Sequence, residues 1–183
     1  MSEHSLAPAL LLSMPQLHDP NFAQTVVLLC QHNQDGAFGL VMNRPVTTTA
    51  RVVAHGAIDE SAEHELEVWI GGPVEPERSW ILLSDDRADG EAVRVCDGVF
   101  LSTSATVLRR IIDRQADDRT RLIAGYAGWG PGQLDAELAA SAWLSLDVQP
   151  DLIFDTPAEQ MWDRAIRRLG VTPGRLQTGQ GVH

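Results

Sequence analysis

The residues with the clearest chemical potential form a glycine-rich segment, Gly125-Tyr-Ala-Gly-Trp-Gly-Pro-Gly-Gln133. This segment follows an apolar run and precedes a helical pattern, so it predicts a strand-to-helix turn. Glycines in such a turn allow positive φ, and the free N–H groups at a helix start can hold an anion. The segment lacks the Gly-Lys-Ser/Thr of a P-loop and the spacing of a dinucleotide fingerprint. A tight turn with Trp129 packed into the core is therefore favoured over a ligand site.

Two further polar or glycine-rich turns also follow predicted strands, namely Asn43-Arg44-Pro45 and Gly71-Gly72-Pro73. Turns that leave the strands of an open α/β sheet often meet at one edge, so these three could frame a pocket. Each residue also has a structural alternative, such as a turn cap for Asn or a local ion pair for Arg. The predicted lining is Asn43, Arg44, Gly71, Gly72, Arg78, Gly128, Trp129, Gly130 and Gln133.

The histidines and cysteines show no recognisable catalytic or metal-binding pattern. His18-Asp19 and Cys30-Gln-His32 are too sparse for a zinc site, which needs two pairs of ligands, each pair at short spacing. Cys30 lies in an apolar run, where a free cysteine usually behaves as a small buried hydrophobe. On a regular strand Cys30 and His32 would share a face, with no orienting acid evident. We predict no catalytic residue, metal or cofactor; an enzyme with a dispersed site that uses Cys30, His32 or Asp19 is an alternative.

The charge composition argues against a nucleic-acid-binding surface. The net charge is −11, and all fourteen basic residues are arginines. An acidic domain repels phosphate backbones unless its arginines cluster on one face. The densest groups, around Arg109–Arg114 and Arg164–Arg168, lie late in predicted helices, where cations favour the helix dipole. Direct nucleic-acid binding is therefore not expected.

The expected location is the reducing cytoplasm. The first residues lack the basic start of a secretory leader, and the two cysteines have no paired spacing. No apolar run approaches the roughly 20 residues that span a bilayer. We therefore expect no membrane association.

Hydrophobic periodicity predicts an α/β protein with one domain over residues 1–183 and a mobile tail from about Thr172. A capping box at Thr156-Pro-Ala-Glu159 predicts the start of the last helix, and Gly170 predicts its end. The other predicted helices are Ser104–Gln115, Gly132–Trp143 and a short one at Thr49–His55, closed by Gly56. The predicted strands are Leu10–Met14, Thr25–His32, Phe38–Met42, Leu66–Ile70, Trp80–Leu83, Val93–Val95, Leu122–Tyr126 and Leu152–Phe154.

Several of these motifs occur in an order that resembles the YqgE/AlgH family of bacterial proteins. The match runs nearly end to end and includes both the glycine-rich segment and the Gly-Gly-Pro turn. The matching segments are Met14-Pro-Gln-Leu-His-Asp-Pro-Asn-Phe22, Val26-Val-Leu-Leu-Cys-Gln-His-Asn33, Gly39-Leu-Val-Met-Asn-Arg-Pro45, Gly71-Gly-Pro-Val74, Gly125 to Leu134, Trp143-Leu144, Phe154-Asp-Thr-Pro157 and Trp162.

The resemblance implies a single mixed α+β domain, in which a bent, bifurcated mixed β-sheet forms a pseudo-barrel flanked by helices. No enzymatic activity is established for the family as a whole, so the resemblance leans away from an enzyme without deciding the question. The family label, transcriptional regulator, reflects an effect on gene expression, and the chain shows no evident helix-turn-helix or basic recognition helix. One departure is Arg78-Ser-Trp-Ile-Leu-Leu83, where the family usually ends the run with histidine. This departure puts in doubt any family-wide mechanism that required the histidine.

The leading hypothesis is a non-enzymatic regulatory or interaction protein that holds a small anionic ligand or a protein partner at the glycine-rich sheet edge. The alternatives are a transcriptional regulator that contacts DNA directly and the dispersed-site enzyme. A structure can discriminate between these functions by showing whether the three turns meet around a pocket.

Overall fold

The computed structural model describes residues 5–15, 20, 22–50, 53–54, 57–58 and 64–172. Within these residues the chain forms strands and helices in mixed order. The strands are β1 (Ala9–Ser13), β2 (Val26–Asn33), β3 (Gly36–Val41), β4 (Pro45–Ala50), β5 (Val53–Ala54), β6 (Ala57–Ile58), β7 (His64–Ile70), β8 (Val74–Leu83), β9 (Val93–Cys96), β10 (Val99–Ser102), β11 (Arg121–Trp129) and β12 (Trp143–Leu146). The helices are α1 (Ala105–Ile112), α2 (Gln133–Ala139), α3 (Pro150–Phe154) and α4 (Ala158–Arg168).

Ten of the strands form one strongly curled sheet, a half-barrel. Eight of them follow the order β12-β1-β2-β3-β11-β8-β10-β9, while β7 joins the sheet at β11 and β4 pairs with β7. The sheet branches at β11, which pairs with β3 through Ala127–Trp129 and with β7 through Ile123–Ala124. The β7–β11 pairing is parallel, whereas the neighbouring pairings are antiparallel. The predicted fold class, mixed α+β with a bent, bifurcated sheet, is confirmed.

The central strands β1 and β2 are covered on both faces, which explains their continuous apolar runs. Leu10, Leu11 and Leu12 are fully buried, as are residues 26–29. Alternate side chains of each strand enter two separate clusters. One cluster includes apolar residues of α3 and α4, and the other includes Leu134 of α2.

Glycines bring the end of β7 against β11 at the branch point. Gly71 N donates to Ala124 O at 2.8 Å, and Gly71 O accepts from Val41 N at 2.8 Å. A Cβ atom on Gly71 would lie 2.4 Å from Gly125 O. The Gly-Gly-Pro turn is thus a close contact between backbones, which requires the absence of side chains.

Two predicted elements are wrong in type. In the described part of the helix predicted at Thr49–His55, the chain instead forms the end of β4, whose β-branched residues pair with β7, and β5. Residues 51–52 and 55–56 lie outside the described residues. The strand predicted at Leu152–Phe154 is the helix α3, because Pro150 occupies its first turn and three apolar residues then enter the core.

Other boundaries also need correction. The helix predicted over Gly132–Trp143 ends at Ala139, and Trp143 begins β12, which the pattern missed together with β10. The turn predicted from Gly125 is shorter, since β11 continues through Trp129. The capping box is wrong because Pro157 is the N-cap of α4. The hydroxyl of Thr156 instead donates to Asp151 O at 3.1 Å.

Candidate functional site

Asn43 and Arg44, two of the predicted ligand-binding residues, fasten the chain before β2 to the turn after β3. Asn43 Oδ1 accepts from Val26 N at 3.1 Å, and Asn43 Nδ2 donates to Gln24 O at 2.9 Å. The Arg44 guanidinium donates to Ala23 O at 2.8 Å and to Thr25 Oγ1 at 2.9 Å. Their hydrogen-bonding groups are therefore engaged within the protein.

Trp129 and Gln133 belong to a second closed network, which centres on Glu137 of α2. Glu137 Oε2 accepts from the indole nitrogens of Trp129 and Trp143, each at 2.8 Å. Glu137 Oε1 accepts from Gln133 Nε2 at 3.1 Å, and Gln133 Oε1 accepts from Gly130 N at 3.1 Å. Trp129 packs in the core, as the tight-turn interpretation of this segment predicts.

The Gly71–Gly72 turn lies against both the Asn43–Arg44 turn and the start of the glycine-rich segment, at Gly125 and Tyr126. Ile70 N donates to Arg44 O at 2.8 Å, which joins the Asn43–Arg44 turn to the Gly71–Gly72 turn. Trp129 pairs with Ala37 at the opposite end of β3, four residues or ~13 Å along the strand from Val41, which bonds to Gly71. Only the end of the glycine-rich segment, Gly130 to Gln133, therefore lies away from the other two turns. Arg78 lies on β8, where its guanidinium covers the ring of Trp80.

A cavity lies between the β2–β3 and β9–β10 strands. None of the nine predicted site residues lines it. Its volume is about 580 Å³, within the range of small-molecule sites. We call it the β2–β10 cavity. It is lined by Cys30, Gln31, Phe38, Trp80, Asp89, Glu91, Val93, Arg94, Val95, Leu101, Ser102, Thr103 and Ser104.

Aromatic side chains form one wall of this cavity. The ring centroids of Phe38 and Trp80 are 5.1 Å apart, and Tyr126 packs behind Phe38 at 5.1 Å. The indole nitrogen of Trp80 is buried and has no hydrogen-bond partner among the described residues. An unsatisfied buried donor costs about 1–3 kcal/mol, so an acceptor that reached it would recover part of that free energy.

A hydrogen-bonded loop forms the polar wall. Ser102 Oγ donates to Asp89 Oδ2 at 2.6 Å and accepts from Ser104 N at 3.0 Å, immediately before α1. Asp89 Oδ1 accepts from Glu91 N at 3.0 Å. The Ser102 hydroxyl, followed by the Glu91 backbone, lowers the pKa of Asp89 below its ordinary value. Asp89 is consequently a carboxylate that is held in place at neutral pH.

A β-bulge separates Cys30 from His32. The register of β2 against β3 shifts between Leu29 and Gln31, so Cys30 is an extra residue in the ladder. Cys30 and Gln31 both line the β2–β10 cavity, whereas His32 contacts Asp135 of α2 on the other face. The expectation that Cys30 and His32 share a face is therefore wrong.

His32 is nevertheless paired with an acid that the sequence pattern did not reveal. Leu6 N donates to His32 Nδ1 at 3.1 Å, so in the neutral ring the proton is on Nε2, which lies 3.3 Å from Asp135 Oδ2. Asp135 is 103 residues away along the chain, which explains why local spacing could not indicate the pair. With Nδ1 occupied by a backbone donor, His32 has no free basic nitrogen for catalysis.

Burial makes Cys30 a poor nucleophile. Burial, with a smaller contribution from the charge of Cys96, raises the pKa of the Cys30 thiol to about 12. Because the thiolate is the reactive form, the neutral thiol at pH 8 reacts slowly. This protonation state disfavours the thiol-enzyme alternative.

We expect iodoacetamide at pH 8 to alkylate Cys96 well before Cys30 in the folded protein, because Cys96 is less deeply buried. Peptide mass mapping over time measures the two rates, and a Cys96→Ser variant isolates Cys30. Urea should expose Cys30 and make the rates similar. Equal rates without denaturant would contradict the burial argument.

The structure gives no sign of a metal site or a membrane span in the part of the chain that it describes. No group of three or more His, Cys, Asp or Glu residues there is arranged to hold a metal ion. None of its helices combines the length and apolar character needed to cross a membrane.

The curled, branched sheet with its flanking helices defines an α+β half-barrel protein. The chain belongs to the AlgH-like family, whose model matches residues 10–174. It is 43% identical over 189 residues to a UPF0301 protein of Anaeromyxobacter sp. strain Fw109-5, with 96% of this chain and 94% of the relative covered. A UPF0301 protein of Pseudomonas savastanoi pv. phaseolicola is 39% identical, with coverage of 93% and 92%.

Solved structures confirm the fold. The solution structure of AlgH from Pseudomonas aeruginosa matches with a TM-score of 0.71 and 32% identity, covering 100% of this chain and 98% of that one. The crystal structure of DIP2367 from Corynebacterium diphtheriae gives a TM-score of 0.65 at 22% identity, with coverage of 96% and 92%. The second likeness concerns the fold alone.

Proposed function

We propose that this chain is a non-catalytic binding protein of the regulatory or interaction type, and that its ligand occupies the β2–β10 cavity. The observation that carries this proposal is a cavity of about 580 Å³ lined by Trp80, whose indole nitrogen is buried and has no hydrogen-bond partner among the described residues. Sites for small molecules are typically concave and largely apolar, with a few fixed polar groups. Phe38 and Trp80 supply the apolar wall of this cavity, and Ser102 and Asp89 supply the fixed polar groups.

The described chemistry favours binding over catalysis. Cys30 is held as a neutral thiol, and His32 lies on the opposite face with Nδ1 occupied. A general base or nucleophile needs a partner within hydrogen-bond reach. Ser102, the buried hydroxyl of the cavity, bonds to a carboxylate without an intervening histidine.

Any regulatory effect is proposed to be indirect rather than through DNA contact. Several arginines already pair with carboxylates, which reduces the charge available to phosphates. The pairs are Arg87–Asp85, Arg94–Asp97, Arg109–Asp113, Arg119–Asp155 and Arg168–Asp151. Retention of duplex DNA on a filter at low salt would contradict this part of the proposal.

The indole N–H signals of the uniformly ¹⁵N-labelled protein test the proposal. A screen of small amines, amides, carboxylates and inorganic phosphate at millimolar concentration should shift the Trp80 signal, which a Trp80→Phe variant assigns. The Trp129, Trp143 and Trp162 signals act as internal controls, because each of these indoles already has an acceptor.

The same spectra test the sequence-based prediction of an anion at the glycine-rich edge. Phosphate or a carboxylate bound there should shift Trp129 and the amide of Gly128 while leaving Trp80 unchanged. That result would move the site from the cavity to the glycine-rich edge. The absence of any shift across the screen would contradict both locations.

A further inference from the structure

The charge of the β2–β10 cavity restricts the ligand that it can hold. Two carboxylates, Asp89 and Glu91, line the cavity, and neither forms an ion pair with an arginine among the described residues. Arg94 also lines it but pairs with Asp97, so its charge is offset. The remaining charge is negative, which favours a cation and disfavours phosphate or carboxylate ligands.

The aromatic wall has the same preference. The faces of indole and phenyl rings carry negative electrostatic potential and attract cations within about 6 Å of the ring centroid. One face of Trp80 already binds a cation, because the guanidinium carbon of Arg78 lies 4.6 Å from the ring centroid. Arg78 is in turn paired with Glu75 at 3.5 Å, which offsets its positive charge.

Trp80 adds a requirement for a hydrogen-bond acceptor. Its indole N–H has no acceptor among the described residues, although the nitrogen is buried. Arg78, which covers the ring, is an exposed side chain that can move at little cost. A ligand oxygen that reached the indole nitrogen after the side chains covering it had moved would satisfy this donor.

We infer that the ligand of the β2–β10 cavity is a small organic cation, an alkylammonium group that also carries a hydrogen-bond acceptor. The ammonium group lies against the aromatic wall near Asp89 and Glu91, and the acceptor pairs with Trp80 Nε1. This inference rests on the proposed binding function and narrows it to a class of ligand.

Three probes of similar shape but different charge test the inference. Choline is the cation, 3,3-dimethyl-1-butanol is its neutral isostere, and 3,3-dimethylbutanoate is the anion. The Trp80 indole signal is followed in titrations with each probe. Choline should bind about tenfold more tightly than the alcohol, because one unit of charge near a protein surface changes affinity by about this factor. The anion should bind most weakly. Added salt should weaken only the choline titration.

Variants separate the contributions of charge and hydrogen bonding. Glu91→Gln should weaken choline binding about fivefold, whereas Glu159→Gln, the same change on α4 outside this cavity, should leave it unchanged. Trp80→Phe keeps an aromatic ring but removes the donor. This variant should weaken the binding of choline. It should affect tetramethylammonium much less, because that cation carries no hydrogen-bond acceptor for Trp80. Ring-current shifts of the ligand methyl signals provide the readout for this variant.

The outcomes distinguish this inference from the proposed function. If the alcohol or the anion shifts Trp80 as strongly as choline does, the cavity binds ligands but the cation class is wrong. If choline at about 50 mM, a concentration that would saturate even a site with a Kd of a few millimolar, leaves Trp80 unchanged while another compound shifts it, the inference fails alone. If no compound shifts Trp80, both fail.

Discussion

Replacing Gly72 with alanine should lower the free energy of unfolding by about 3 kcal/mol or more, through backbone strain and overpacking together. Gly72 has φ 153°, and a Cβ atom there would lie 2.2 Å from the carbonyl carbon and oxygen of Tyr126. These atoms belong to the backbone of β11, so no side chain can move aside. Urea unfolding monitored by tryptophan fluorescence measures the change.

Gly90→Ala is the matched control for Gly72→Ala. A Cβ atom on Gly90 meets no heavy atom within 4 Å, and its φ lies outside the left-handed region. We expect a change within about 0.5 kcal/mol. If Gly72→Ala were as stable as Gly90→Ala, the close contact at the branch point would be disproved. If Gly72→Ala fails to fold at all while Gly90→Ala folds, the contact is supported.

Removing the Glu137 carboxylate should destabilise the protein by about 2–5 kcal/mol, because it leaves two donors in the core without an acceptor. Glu137 Oε2 accepts from both Trp129 and Trp143, at 2.8 Å each. The two indole rings are buried and pack edge to face at 5.9 Å. Thermal or urea unfolding of Glu137→Ala provides the measurement.

Two comparisons isolate the acceptor role of Glu137. Glu137→Gln retains one carbonyl oxygen and should lose only part of this stability. Asp163→Ala removes an exposed carboxylate from α4 and should cost less than about 1 kcal/mol. Equal losses for Glu137→Gln and Glu137→Ala would show that charge, rather than hydrogen bonding to the indoles, dominates.

Much of the fold follows from local patterns. The apolar run of β2 predicted a strand buried on both faces, and both of its faces are indeed covered. The apolar stripe of α1 likewise predicted its helix. Three apolar residues at Leu152–Phe154 fit a strand or a helix equally well, and Pro150 was the signal that favoured a helix. The capping box failed because Thr156 bonds to α3 instead of to its own helix.

The candidate site was less predictable, because residues far apart in sequence form it. Cys30, Phe38, Trp80 and Ser102 come from four different strands and meet only when the sheet curls. The bulge that turns His32 away from Cys30 depends on the register with β3, which strand periodicity cannot reveal. The glycine-rich segments were conspicuous in sequence, but Gly71, Gly72 and Gly125 serve the contact between β7 and β11.

The branch at β11 also governs how the molecule can open. Through its pairings with β3, β7 and β8, this single strand is shared by both arms of the sheet. Neither arm can detach without breaking ladder hydrogen bonds of β11, and Ile123 and Ala127 of this strand are buried in the core. The amides of Ile123 and Ala127 should therefore exchange with deuterated solvent only through global unfolding, among the slowest in the protein.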